Sequence, residues 1–307
     1  MDFGKVPGEQ VASINFKLPE DGAQTIKTLT GKPAENPAFY IGCAKWGRKE
    51  WLNMIYPLKT KEVNFLDEYV KHFNSIELNA VFYSIPNAEL IRKWRIKAEE
   101  NSNNGFVFCP KFSRTISHIK RLKDAEVPTD LYLSSITEFG KFLGPCFLQL
   151  GDNFTPNNFE VLETYLKHLP VDLKVFVELR HESWFADPAI RSRLFEMLAR
   201  LEKGAVITDA SGRRDCVHME LTIPEIFIRF VGNGKEYQAS DFARIDEWTA
   251  RIKEWLDKGL EKVYFFLHQH DEKDTPILAN YTIQQFNKYL GSRVPEIQFI
   301  VKTGELF

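Results

Sequence analysis

The chain has 307 residues, of which 44% are hydrophobic and 27% charged, and a formal net charge of −2. This is enough for two average domains or for one large α/β barrel, and 25 phenylalanines make the expected core bulky. The near-neutral balance excludes a global attraction for nucleic acid or anionic membrane. No apolar run approaches the roughly 18 residues of a membrane span, and no basic-then-apolar leader opens the sequence.

Cys43, Cys109, Cys146 and Cys216 lie far apart with no CxxC spacing. They read as small buried hydrophobes of a reduced, cytoplasmic protein rather than as a zinc ribbon or redox pair. Residues 1–36 are punctuated by Pro7, Gly8, Pro19, Gly22, Gly31 and Pro33, and are expected to form an irregular N-terminal extension wrapped on the surface. A single domain is expected over 37–307.

From Ala38 onward, short apolar runs alternate with longer amphipathic ones. Strands are predicted at 38–44, 75–79, 106–109, 147–150, 175–179, 205–208, 226–230 and 263–267. Helices are predicted near 62–72, 88–99, 131–143, 157–168, 188–201, 244–258 and 277–290, most with apolar residues at three- and four-residue steps. The connection that begins at Gly212-Arg213-Arg214-Asp215 is too short and polar for a full helix. Alternating βα units of this number close most economically into a TIM-barrel-like (β/α)8 fold, because closure removes both exposed edges. No Gly-rich phosphate loop follows an early strand, which argues against an open nucleotide-binding sheet.

Barrel sites form at the carboxyl ends of the strands, and there the polar residues cluster. In chain order they are Lys45 and Trp46, Glu77 and Asn79, Lys111, Gln149, Glu178 with Arg180 and His181, Asp209, Arg229, then His268, His270 and Asp271. The segment from Val175 to Trp184 is the sharpest case. Alternation places Phe176, Glu178 and Arg180 on one face of its strand and Val175, Val177 and Leu179 on the other.

Glu77, Glu178, Asp209 and His181 are candidates for acid–base work. Lys45, Lys111, Arg180 and Arg229 suit a carboxylate or phosphate. Trp46 and Trp184 lie just past strand ends, where aromatics stack on a ligand or pack the loops. His118 falls in a basic stretch that either tracks phosphate or is a solvated loop. His268 and His270 are candidate ligands for a divalent metal, although no HExxH or comparable spacing is present. No cofactor is required by the sequence. A satisfied rim network remains open as the structural alternative.

Several collinear segments carry a resemblance. Ile41 to Trp46, Phe73 to Asn79 with Phe82, Tyr83 and Pro86, Ser117-His118, and Val177 to His181 with Ser183-Trp184 resemble the DUF72, or YecE-like, family. Thr208-Asp209, Arg229-Phe230, Gly232 and Tyr237 match as well. The resemblance covers about 38–290 and implies a TIM-barrel-like fold without naming a reaction. It also implies that Glu77, Asn79, Lys111, His118, Glu178, Arg180, His181, Asp209 and Arg229 share one cleft, with Tyr237 beside it. The chain departs from the family where Leu267-His268-Gln269-His270-Asp271 replaces an Asn-Asp type segment, and where Lys45-Trp46 replaces Gly-Trp. The expected function is an acid–base enzyme acting on a small phosphorylated or carboxylated anion. A metal-dependent hydrolase acting on phosphodiesters and a non-catalytic metabolite-binding barrel are the alternatives.

Overall fold

The eight apolar runs form eight parallel strands in the computed structural model, which describes residues 3–102 and 105–301. They are β1 (Ala38–Cys43), β2 (Ser75–Leu78), β3 (Val107–Pro110), β4 (Cys146–Gln149), β5 (Val175–Glu178), β6 (Gly204–Asp209), β7 (Glu225–Gly232) and β8 (Lys262–Gln269). The sheet order β3-β2-β1-β8-β7-β6-β5-β4 wraps the chain into a nearly closed barrel. Across the gap β3 and β4 are joined by single bonds, from the Gly144 N–H to Phe108 O at 2.8 Å and from the Phe112 N–H to Phe147 O at 3.0 Å.

The helices are α1 (Gly8–Val11), α2 (Ala23–Thr28), α3 (Phe65–His72), α4 (Ala80–Tyr83), α5 (Ala88–Asn101) and α6 (Glu126–Ile136). They continue with α7 (Phe159–His168), α8 (Ser183–Ala186), α9 (Pro188–Arg200), α10 (Gln238–Leu256) and α11 (Thr275–Leu290). Local chemistry starts them where expected. Asn87 accepts the Leu90 N–H to cap α5, and Asp187 accepts the N–H groups of Ala189 and Ile190 ahead of Pro188 at the start of α9. Two boundaries differ from the periodicity. α6 begins at Glu126 and ends before Gly140, whose φ of 53° interrupts the predicted 131–143 helix. α10 begins at Gln238 because its first turns bury Asp241 and Arg244, a polar face that apolar periodicity does not register.

Alternation sorts each strand into an inner and an outer face. The interior is aromatic: Cys109, Phe147, Phe176, Val206, Ile223, Phe227, Tyr264 and Phe266 form one buried cluster. Gly204 makes room for it, since a Cβ there would meet the Phe176 ring at 2.2 Å. The outer faces pack against the helices in a second, larger cluster that includes Trp51, Trp184, Trp248 and Trp255. All four cysteines are free and buried. Among the described residues, no helix is long and apolar enough to cross a membrane.

The connection between β6 and β7 contains a 3₁₀ turn at Arg214–Cys216 and no α-helix. The N-terminal segment fills the vacated position with α2. Its Thr25 hydroxyl donates to Met219 O at 2.8 Å and accepts the Leu221 N–H at 2.6 Å, while Thr28 donates to Leu221 O at 2.7 Å. α2 packs on α9, and Asp21 just before it accepts from Arg251 and Trp255 of α10 at 3.0 and 2.9 Å. Within residues 3–36 the two short helices α1 and α2 are joined by irregular segments, and Val11, Leu18 and Leu29 are buried. Residues 1–2 and 302–307, the outer ends of the two expected units, lie outside the described residues.

Thr25 is 1% exposed, so Thr25→Val keeps its shape while orphaning the buried Leu221 N–H. The expected loss is about 1–3 kcal/mol of unfolding free energy, read by urea denaturation.

Candidate functional site: a charged ring at the barrel mouth

Seven of the eight strands, all but β1, carry or lead into a polar residue above the aromatic layer. β2 contributes Glu77, β4 Gln149, β5 Glu178, β6 Thr208, β7 Arg229 and β8 His268, and Lys111 follows β3 directly. Register aligns them: Glu178 is the Cα partner of Gln149, and Arg229 that of Thr208.

Arg229 is the centre of this ring. Its guanidinium donates to both oxygens of Glu77, Nε to Oε2 at 2.8 Å and Nη2 to Oε1 at 2.7 Å, and through Nη1 to Glu178 Oε2 at 2.7 Å. Glu77 also accepts from Asn79 Nδ2 at 2.9 Å and lies 2.9 Å from His268 Nε2. Glu178 accepts from Arg180 Nε at 3.0 Å and from the Thr208 hydroxyl at 3.2 Å. Both carboxylates are buried.

Burial by itself pushes both carboxyls up, but the surrounding cations outweigh it. Arg180, Arg229 and Lys111 hold Glu178 down at about 2. Arg229 and His268 hold Glu77 well below the usual carboxylate range. Both glutamates are therefore fixed anions near neutrality, acting as acceptors rather than as groups ready to take up a proton.

Lys111 is the exception in the ring. It is 7% exposed, donates to Gln149 Oε1 at 2.8 Å, and sits 4.1 Å from the centroid of the Phe82 ring. Among the described residues it makes no ion pair with a carboxylate. Burial and the repulsion of Arg229 lower its ammonium to about 7, against partial relief from Glu178 and Glu77. Beside it a π-helical turn, Thr115–Ile119, presents His118, whose Nδ1 is 2.9 Å from the Ser117 hydroxyl and whose ring meets Phe82 edge-on at 5.1 Å. Burial, together with Lys111 and Arg180, lowers His118 to about 4, so it is neutral at pH 7.

The ring thus unites Glu77, Asn79, Lys111, Gln149, Glu178, Arg180, Arg229 and His268, with His118 at its edge. Other expected members lie elsewhere. Asp209 points to the outer face of β6, because Thr208 takes the inner one. Its carboxylate accepts from Arg244 Nη2 at 2.8 Å and Trp248 Nε1 at 2.7 Å, pairs with Arg214, and so anchors α10.

His181 turns back on its own loop, with Nδ1 2.7 Å from the Ser183 hydroxyl. Trp184 is buried on the helix side, donating to Phe154 O at 2.6 Å. Lys45 is exposed, and Trp46 packs edge-on against Trp94 at 5.3 Å. The Tyr237 hydroxyl lies against Gly8 of the N-terminal segment.

Of the two candidate metal ligands, His268 lies inside the ring on β8 and His270 just beyond that strand. His268 Nε2 is engaged with Glu77, and among the described residues no three His, Cys, Asp or Glu side chains converge as ligands. Thr208 was missed by reading charge rather than face; alternation with Val206 signals it. Phe3, whose ring lies 4.0 Å from the Arg180 guanidinium carbon, carries no sequence signal of its position.

Arg229→Met removes the guanidinium shared by two buried glutamates, leaving Glu77 with His268 and Asn79 and Glu178 with Arg180 and Thr208. The expected cost is about 3–5 kcal/mol at pH 7. The native carboxyls have lowered pKa values, so their contribution is full above the unfolded value and is lost as pH falls from about 4.5 toward about 2. In the variant their pKa values rise, so acidification to about pH 5 should recover part of the loss instead. Urea titrations at the two pH values read the change of sign.

The family model described as "Protein of unknown function DUF72" matches residues 40–298. The chain is 28% identical over 276 residues to UPF0759 protein YecE of Escherichia coli (strain K12), spanning 84% of this chain and 94% of that protein. It is 30% identical over 172 residues to UPF0759 protein YunF of Bacillus subtilis (strain 168), spanning 52% and 57% respectively. In fold it is similar to a DUF72 family protein from Enterococcus faecalis V583, with a TM-score of 0.62 at 17% identity over 85% of this chain and 98% of that one. It is likewise similar to one from Thermotoga maritima MSB8, with a TM-score of 0.58 at 20% identity over 83% of this chain and all of that one. With the family model covering most of its length and the barrel shared with solved members, the chain belongs to the DUF72 family.

Proposed function

We propose that the barrel mouth binds a small phosphorylated or carboxylated anion, and that proton transfer to or from that ligand runs through Lys111. The observation that carries this reading is the charge count inside one buried ring. Arg180, Arg229 and Lys111 face Glu77 and Glu178, and Lys111 has no carboxylate of its own among the described residues. A buried ammonium without a counter-ion is costly. It is relieved either by an anion bound beside it or by loss of its proton, and an amine near pH 7 reaches both states.

The division of labour follows from the geometry. Arg229 is consumed by the two glutamates and acts as scaffold. Lys111 and Arg180 are the cations placed to meet a ligand, while neutral His118 and the half-buried Asn79 offer directional hydrogen bonds. Glu178 holds Arg180 in place and adds negative potential beside Lys111. A barrel that binds the same anion without turning it over is the second reading, and the locked state of both glutamates favours it.

A thermal-shift panel of small phosphorylated and carboxylated compounds should give an anion that stabilises the protein, with an affinity reduced about tenfold to a hundredfold in Lys111→Met. Because the ligand favours charged Lys111, its affinity should fall by up to about tenfold per pH unit above pH 7, and Lys111→Met should flatten that profile. Equal affinity and pH dependence in the variant would sink the reading. Proton transfer is then read by NMR in D2O: exchange of a ligand C–H that is lost in Lys111→Met supports catalysis, while an unexchanged ligand selects the binding-only reading.

A further inference from the structure

The side of the mouth formed by β5, β6 and β7 is covered by residues 3–8, a segment that precedes the region matched by the family model. The Phe3 ring lies 4.0 Å from the guanidinium carbon of Arg180 and 4.9 Å from that of Arg213. Gly4 O accepts the Gly212 N–H at 2.8 Å. The approach is tight at each end of the segment. A Cβ on Gly4, which has a φ of +68°, would meet Ala210 Cβ at 2.6 Å, and a Cβ on Gly8 would meet the Tyr237 hydroxyl at 2.4 Å.

A Cβ on Gly212 would in turn meet Val6 Cγ1 at 2.9 Å. The polar connection Gly212-Arg213-Arg214-Asp215 is therefore the seat of this strap. Arg213 is held there by Asp215, with Nε to Oδ1 at 2.8 Å, and donates to the Arg180 carbonyl. Phe3 is thus lodged against two guanidiniums, one of which belongs to the charged ring.

We propose that residues 3–8 form a wall of the mouth site, with Phe3 as a specificity-determining residue that limits the size of the anion admitted beside Arg180. The inference rests on the anion-binding reading above and extends it to the class of ligand. With the β5–β7 side covered, a ligand reaches the ring over the half-buried Asn79, Phe82 and His118. The anionic group lies between Lys111 and Arg180, and a bulky substituent on it meets the Phe3 ring. The favoured class is a compact phosphate or carboxylate rather than an aryl or nucleoside-sized one. A ring over a guanidinium suits this role, because the cation–π contact holds the ring in place while its edge excludes apolar bulk.

The test compares inorganic phosphate with phenyl phosphate by calorimetry, in the full chain and in its Phe3→Ala variant. The full chain should prefer inorganic phosphate, and Phe3→Ala should shift the ratio of the two affinities toward phenyl phosphate by at least about tenfold, the scale on which pocket size discriminates. A merely structural role would weaken both ligands together, so an unchanged ratio overturns the proposal. If neither anion binds either protein, the anion-binding reading fails and the wall is judged separately by phenylglyoxal labelling with peptide mass spectrometry. Several-fold faster modification of Arg180 in Phe3→Ala then supports the covering wall, and equal rates overturn it.

Discussion

A buried guanidinium must be fully engaged or it destabilises the fold, and Arg229 satisfies this requirement by reaching from β7 to a carboxylate on either side. Glu77 is 152 residues away in sequence and Glu178 is 51, so one side chain ties three separate βα units together at the open end of the barrel. The geometry leaves little slack. Two bonds to Glu77 fix the plane of the guanidinium, and the third then specifies where Glu178 must stand. Asn79 and His268 share the two Glu77 oxygens with Arg229, and Arg180 and Thr208 donate to Glu178 Oε1 while Arg229 donates to Oε2. The position of Lys111 opposite an already committed pair of carboxylates follows from that order of precedence.

The same strands do different work on their two faces. On β6, Thr208 completes the charged ring while its neighbour Asp209 fastens α10 through Arg244 and Trp248. A polar network outside the barrel thus backs the one inside, separated by the thickness of a single strand. The aromatic layer below, with Phe227 at 5.3 Å from Phe147 and 4.8 Å from Phe266 by ring centroids, gives the ring a dry floor. A dry floor strengthens every charge interaction above it.

Much of this was legible in the sequence, for physical reasons. Eight apolar runs with polar exits survive as eight strands because burial on both faces demands continuous apolar stretches. Alternation correctly put Phe176, Glu178 and Arg180 together, and the same rule applied to β6 selects Thr208 over Asp209. What stayed hidden depends on contacts between distant segments. The roles of Glu77 and Glu178 as fixed acceptors come from Arg229, the isolation of His181 from Ser183, and the seat of Phe3 from Gly212, more than 200 residues away. The periodicity starts α10 at 244 rather than at Gln238 because buried Asp241 resembles a solvated turn until its partners are seen.

The placement of α2 has a kinetic consequence. This helix is made before the strands it packs beside, yet the carbonyl that receives Thr25 belongs to Met219, 194 residues later. Six residues of helix have little stability in isolation, so α2, with Asp21 before it, depends on its contacts with α9, α10 and the β6–β7 connection. Closing so long a loop costs entropy before docking returns any gain. Without it the barrel carries an open seam between α9 and α10, which the extension closes as a keystone does.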